Sequence, residues 1–87
     1  MDKILMEKIK QKIHESISNK EEIRRLVHLL SNIDDSKSFA LGIIVGRIYN
    51  SFYYQTKRIL NREPTESEFT EFLEFIKSKK SELIDLW

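Results

Sequence analysis

The residues best suited to bind a ligand lie in one helical stretch, residues 41–62, LGIIVGRIYNSFYYQTKRILNR. Guanidinium groups form paired hydrogen bonds with phosphate, and an aromatic ring stacks on a nucleic-acid base. Residues 47–62 hold four basic residues and no acid. One hypothesis is therefore a basic stripe that contacts nucleic-acid phosphates. Its candidate residues are Arg47, Tyr54, Lys57, Arg58 and Arg62.

An acidic segment follows directly and offers a second interpretation of the same stripe. Residues 63–75 hold five glutamates and no basic residue. Basic helix faces are commonly solvated or paired with nearby acids, and exposed pairs contribute less than about 1 kcal/mol each. The formal net charge of +1, from 15 basic and 14 acidic residues, favours neither interpretation. Both stay open at this point.

A second face of the same helix carries glycine and tyrosine. At about 100° per residue, one arc holds Gly42, Gly46, Tyr49, Tyr53 and Leu60. A glycine inside a helix costs about 1 kcal/mol relative to alanine, so the pair predicts close approach of another backbone. The approaching helix belongs either to the same chain or to a second copy. The arc is therefore a candidate helix-packing surface or dimer seam.

No residue pattern indicates catalysis or metal binding. The chain has no cysteine, and neither His14 nor His28 has a ligand residue three or four positions further on. Asp34 and Asp35 suit helix caps better than a catalytic carboxylate pair. We expect a protein that is not an enzyme and that uses no cofactor, no metal and no small-molecule substrate.

The elements that carry these faces are all predicted to be helices. Apolar residues recur at helical spacing along nearly the whole chain, which contains only two glycines and one proline. The sequence predicts an all-α fold, a compact bundle of about four helices with a long central third helix, in a single domain over residues 1–87. The wide apolar surface of the third helix leaves open whether dimerisation completes this bundle. The predicted core positions are Leu5, Met6, Ile9, Ile13, Ile17, Ile23, Leu26, Val27, Leu30, Ile33, Leu41, Val45, Ile48, Phe52, Ile59, Phe69, Phe72, Leu73, Ile76 and Leu83.

Polar residues mark the predicted starts of the second and third helices. Ser18 and Glu21 have the spacing of a capping box, which places the start of the second helix near Asn19. Asp35 or Ser36 is the predicted N-cap of the third helix.

A further set of signals separates the third helix from the fourth. Proline disfavours helical geometry in the residue before it, so the third helix is predicted to end before Pro64. Thr65 and Glu68 predict a capping box at the start of the fourth helix. Residues 77–82, KSKKSE, weaken the apolar stripe of that helix and predict a fray or a bend.

Apolar residues exceed what one small core is expected to cover. Phe75 and Leu86 lie off the main stripe of the fourth helix, and Trp87 is the last residue, so these three are candidate partner anchors. The leading hypothesis is a small helical protein–protein interaction module or accessory subunit, with a homodimer as one form. The alternative is a nucleic-acid-binding protein that uses the basic stripe.

No apolar run has the length of a signal peptide core or a membrane span. We therefore expect a cytoplasmic protein without membrane contacts. Its expected partner is another protein or a second copy of the chain, and in the alternative a nucleic acid. The residues do not assign the chain to a family.

Overall fold

The computed structural model describes residues 1–29 and 35–84. These residues form five helices and no strand: α1 (Lys3–Ser18), α2 (Lys20–Leu29), α3 (Ser36–Leu60), α4 (Glu66–Ser78) and α5 (Lys80–Ile84). The predicted all-α bundle with a long third helix is confirmed. The molecule measures about 40 × 22 × 21 Å. Within the described part of the chain, no helix combines the length and the apolar character required to cross a bilayer.

The third helix is the centre of the bundle. It runs for 25 residues and packs against α1, α2 and α5. Its fully buried side chains recur every fourth position, which places them in one row along the helix. The row consists of Ala40, Ile44, Ile48, Phe52 and Thr56.

This buried row corrects the predicted core stripe of α3. Ile48 and Phe52 are buried as predicted, whereas Leu41, Val45 and Ile59 are only partly buried and lie at the flanks of the row. The true row begins with a small residue and ends with a polar one. Ala40, Ile44 and Thr56 were all missed as core positions in the sequence. Apolar periodicity gives little weight to a small or a polar residue, and it assigned the inward arc to Leu41 and Val45 instead of Ile44.

The buried hydroxyls are satisfied within their own helices. Thr56 Oγ1 donates a hydrogen bond to the Phe52 carbonyl oxygen at 2.7 Å, and Ser16 Oγ donates to the Lys12 carbonyl at 2.9 Å. A buried polar group that keeps a hydrogen bond costs little. These short side chains can therefore be fully buried in the core.

The junction between α1 and α2 differs from the prediction. Ser18 is the last residue of α1 and does not cap α2. Asn19 closes α1 instead, its N–H donating to the Glu15 carbonyl oxygen at 2.9 Å, and its own carbonyl accepts from the N–H of Glu22 at 3.1 Å. The predicted capping box at Ser18 is therefore wrong, although the predicted start near Asn19 is correct to within one residue.

The second helix buries less than its sequence indicated. Ile23 is fully buried and Val27 packs against the core. Leu26 is 46% exposed, so its predicted core position is wrong. The predicted core residues Leu30 and Ile33 lie outside the described residues.

Local polar signals fix the start of α3 and both ends of the segment between α3 and α4. Asp35 caps α3, its carboxylate accepting from the Ser38 N–H at 3.0 Å, and this hydrogen bond lowers the pKa of Asp35. Asn61 ends α3 in the left-handed conformation, with φ of 57°. Thr65 and Glu68 then form the predicted capping box of α4.

The fourth helix reaches the core mainly through Phe72. Its ring stacks on Phe52 of α3, with centroids 4.4 Å apart and planes 11° from parallel. Leu73 is 50% exposed, so its predicted core position is wrong. The helix is interrupted at Lys79, where the sequence predicted a fray or bend, and α5 then buries Leu83.

Candidate functional site on the third helix

An apolar groove of about 260 Å³ lies between α3 and α4. Its floor and walls are formed by Val45, Gly46, Tyr49, Phe69, Phe72, Leu73 and Ile76. We call this surface the apolar groove. Ordinary surfaces carry scattered apolar residues, whereas a continuous apolar depression is typical of a binding site.

Aromatic contacts hold the two sides of the apolar groove together. The Tyr49 ring lies 6.1 Å from Phe69 and 6.1 Å from Phe72, measured between centroids. It also meets Tyr53 edge-on at 5.3 Å. Tyr49 remains 42% exposed and Tyr53 remains 37% exposed. Tyr49 therefore joins α3 to α4, and both tyrosines still present ring surface to a partner.

The rings of Tyr49 and Tyr53 are neighbours, and this affects the pKa of Tyr53. The Tyr49 hydroxyl raises the pKa of the Tyr53 phenol, and the nearby carboxylates Glu63 and Glu66 raise it further. The Tyr53 phenol therefore ionises at a higher pH than an unperturbed tyrosine.

The two glycines of α3 are not packed against another helix of the described chain. A Cβ added at Gly42 or at Gly46 would meet no heavy atom within 4 Å, and both residues are exposed. No part of the described chain therefore makes the close helix crossing that was predicted at this face. The seam between two copies stays a prediction. Leu60, assigned to the same arc, is half-buried near the end of α3.

The predicted partner anchors do not gather at the apolar groove. Phe75 is half-buried and packs against the core, with Lys79 Nζ 5.8 Å from its ring centroid. It lies beside Ile13 of α1. Leu86 and Trp87 lie outside the described residues. The anchor role of these three residues stays a prediction.

A second depression of about 330 Å³ lies between α1 and α3. It is lined by Lys12 of α1 and by Arg47, Asn50, Ser51, Tyr54 and Gln55 of α3. We call this surface the polar cleft. It joins two residues of the predicted basic stripe, Arg47 and Tyr54, to side chains that can donate or accept hydrogen bonds.

The charges in the polar cleft are only partly neutralised. Lys12 Nζ lies 3.6 Å from a carboxylate oxygen of Glu15. Within residues 1–29 and 35–84, no acid pairs with Arg47. The cleft therefore keeps positive charge available for an anion.

The polar cleft also contains an unsatisfied amide. Gln55 Oε1 is buried and has no hydrogen-bond partner among the described residues. A half-turn of the carboxamide would place its NH₂ group there instead, so the side chain can offer either an acceptor or a donor. An unpaired buried polar atom costs free energy that a polar ligand can recover.

Arg62 is engaged within the chain. Its guanidinium donates to both carboxylate oxygens of Glu68, at 2.7 and 3.2 Å. This bidentate pair raises the pKa of Arg62. The Arg62 hydrogen bond and the Thr65 N–H together lower the pKa of Glu68 to about 2. For Arg62 the structure supports pairing with an acid, the second interpretation given by the sequence.

The predicted basic stripe thus separates into three parts. Arg47 and Tyr54 line the polar cleft, and Arg62 is paired with Glu68. Lys57 and Arg58 are exposed, and no acid of the described residues pairs with them.

Two features of the candidate sites were not predicted from the sequence. Lys12 stands 35 positions before Arg47 and reads as an ordinary solvated lysine until α1 packs on α3. The apolar groove depends on the distance between α3 and α4, which periodicity does not encode. Within the described residues, no group of three or more His, Cys, Asp or Glu side chains is arranged to hold a metal ion.

The fold and these two surfaces define a small all-α bundle with an apolar groove on one side of its central helix and a polar cleft on another. In comparisons with known proteins, no family model, no curated protein and no solved structure matches the chain.

Proposed function

We propose that the protein is a small, non-catalytic helical interaction module that works through the apolar groove, and that a second copy of the chain occupies this surface. The observation that carries the proposal is the open apolar depression beside Gly46. The proposal includes an accessory role in a larger cytoplasmic assembly.

The glycines support a close helix contact from outside the chain. Each costs about 1 kcal/mol within a helix, and the described chain places nothing against either one. A second α3 crossing at Gly42 and Gly46 would offset this cost, because two glycine faces allow the backbones to approach closely. A second copy supplies such a face by symmetry.

The exposed apolar surface supports the same occupant. Leu73 and Tyr49 leave half or nearly half of their surface in water on opposite walls of the groove. Burying apolar surface contributes about 25 cal/mol per Å², and a two-fold contact buries each residue twice.

The charges along the outer edge of α4 fit a two-fold partner. Glu66 stands seven residues before Leu73 and Lys77 four residues after it, so all three share a helix face. In an antiparallel arrangement, Lys77 of each copy would lie opposite Glu66 of the other. Such exposed pairs contribute more to the orientation of the partners than to their affinity.

The test is the mass in solution, measured by sedimentation from about 1 µM to about 500 µM, the range of weak to moderate association. We expect the wild-type mass to rise to that of a dimer, and Gly46→Leu to remain monomeric. A Cβ at Gly46 meets no described atom within 4 Å, and leucine favours a helix more than glycine does, so the fold should be retained. Circular dichroism checks this directly.

The matched control is Gln11→Leu, which adds the same side chain at an exposed position of α1. It should dimerise like the wild type. A wild-type mass that stays monomeric at the highest concentration contradicts the second copy as occupant. A dimer that Gly46→Leu leaves intact would place the seam elsewhere.

A further inference from the structure

The polar cleft lies apart from the apolar groove, and the proposed interaction module makes no use of it. Gly46 and Tyr49 face α4, whereas Arg47, Ser51 and Gln55 face α1. What could fill the cleft is therefore a separate question from dimerisation.

The cations of the polar cleft are suited to a phosphate. Arg47 is half-buried and has no acidic partner in the described part of the chain. The Lys12–Glu15 contact is long and partly exposed, so an incoming anion can displace it. Guanidinium and ammonium groups on both sides of a cleft can contact one phosphate together.

The remaining side chains are suited to a base. Tyr54 is 62% exposed, so its ring is free to stack on a planar ligand. Gln55 lines the same cleft, and its buried Oε1 has no partner among the described residues, so a rotation that turns the carboxamide into the cleft would let it pair with the edge of a base. Asn50 and Ser51 add further hydrogen-bonding groups.

The positive charge continues beyond the cleft along α3. Arg47, Tyr54 and Arg58 stand at intervals of seven and four residues, which keeps them on one face. Eleven residues of helix span about 16 Å. A mononucleotide would fill the cleft alone, whereas a strand would also reach Arg58.

A single strand fits this arrangement better than a duplex. Stacking on Tyr54 and pairing with Gln55 require a base that is free of its own partner, and duplex bases are stacked and paired. We infer that the polar cleft, with the line from Arg47 to Arg58, binds single-stranded nucleic acid, with one base against Tyr54 and the flanking phosphates on Arg47, Lys12 and Arg58.

The experiment measures fluorescence anisotropy with labelled 12-nucleotide strands of DNA and RNA, their matched duplexes, and AMP as an unlabelled competitor. We expect a Kd of about 10 µM for the single strands in low salt, and clearly weaker binding of the duplexes. With two phosphates contacted, one by Arg47 and Lys12 together and one by Arg58, the affinity should fall about 25-fold for a tenfold rise in salt.

Four variants assign the binding to the named residues. Tyr54→Ala should weaken strand binding at least about fivefold, while Tyr54→Phe keeps the ring and should bind like the wild type. Arg58→Gln should weaken the strand about threefold and leave AMP competition unchanged. Lys20→Gln removes an exposed positive charge from α2, away from both surfaces, and should change little.

Three outcomes would overturn the inference. Equal binding of strands and duplexes, unaffected by Tyr54→Ala, would reduce the stripe to a general attraction for polyanions. AMP binding as tight as strand binding, with no effect of Arg58→Gln, would make the ligand a free nucleotide. No binding of any probe at about 500 µM protein in low salt would leave the cleft without a nucleic-acid role.

Discussion

The two depressions beside α3 have similar volumes and opposite chemistry. The apolar groove, about 260 Å³, is walled by aromatic and aliphatic side chains. The polar cleft, about 330 Å³, is lined by cations, amides, a hydroxyl and one tyrosine. One helix can carry both because successive residues turn by about 100°, so Gly46 and Arg47 face different neighbours. A long central helix can therefore present two chemically different surfaces to opposite sides.

The largest expected effect comes from truncating Phe72, the side chain that connects the apolar groove to the core. Phe72 lines the groove and stacks on Phe52. Phe72→Ala should cost about 3–5 kcal/mol in the free energy of unfolding, since a large cavity is left. Urea denaturation measures this cost. Because small domains have little stability to lose, both surfaces should then disappear together. A loss below about 1 kcal/mol would show that α4 contributes little to the core.

A smaller change should separate the two surfaces. Thr65→Ala removes the N-cap of α4, whose hydroxyl accepts from the Glu68 N–H at 3.1 Å. We expect a loss of about 1 kcal/mol. Hydrogen exchange should quicken in α4 and stay unchanged around Arg47. Equal acceleration on both sides would show that the groove and the cleft loosen as one unit.

Low pH should reduce the stability contributed by Glu68 at the start of α4. Glu68 has a pKa of about 2 in the folded protein and about 4.5 when unperturbed. Its stabilisation is therefore complete above about pH 4.5 and is lost as the pH falls toward 2. We expect about 1 kcal/mol, because Arg62 is 47% exposed and solvent screens the pair. Thermal melts of the wild type and Glu68→Gln should converge at low pH; parallel curves would contradict this assignment.

Replacing a glycine of α3 should have opposite effects on the stability of the single chain and on association. Gly42→Ala should stabilise the single chain by about 0.4–1 kcal/mol, because the helical backbone suits alanine and the methyl group has open space. The same variant should weaken the proposed dimer. Urea unfolding at low concentration and sedimentation at high concentration measure the two effects. A destabilised monomer would mean that the glycine is needed within the chain.

The smallest expected effect is a gain in the affinity of the polar cleft for a single strand. Glu15 lies beside Lys12 and neutralises part of its charge. Glu15→Gln should tighten binding of a single strand about twofold in low salt and lose this advantage in high salt, since the effect is one exposed charge. Anisotropy titrations measure it. Unchanged binding would remove Lys12 from the proposed site.

Features that depend on neighbouring residues were predictable from the sequence. The cap at Asp35, the capping box at Thr65 and the interruption near Lys79 each follow from a few adjacent side chains. The long third helix followed from its unbroken apolar period.

The rotation of each helix about its own axis was less predictable. Leu73 and Phe75 are both apolar residues of α4, yet Leu73 is half exposed and Phe75 packs on the core. Which arc turns inward is set by the helices that pack against it, not by the helix itself. The position of Lys12 in the polar cleft was not predictable for the same reason, since Lys12 lies near Arg47 only after α1 docks.

The turn between α3 and α4 also bears on the order of folding. The left-handed Asn61 and the Arg62–Glu68 pair join positions at most six residues apart, so closing this turn costs little chain entropy. Bringing Lys12 to Arg47 closes a much longer loop. We therefore expect the α3–α4 hairpin to form before α1 docks, with protection of α4 amides preceding that of α1 in pulse-labelled exchange. If α1 were protected first, long-range docking would direct folding instead.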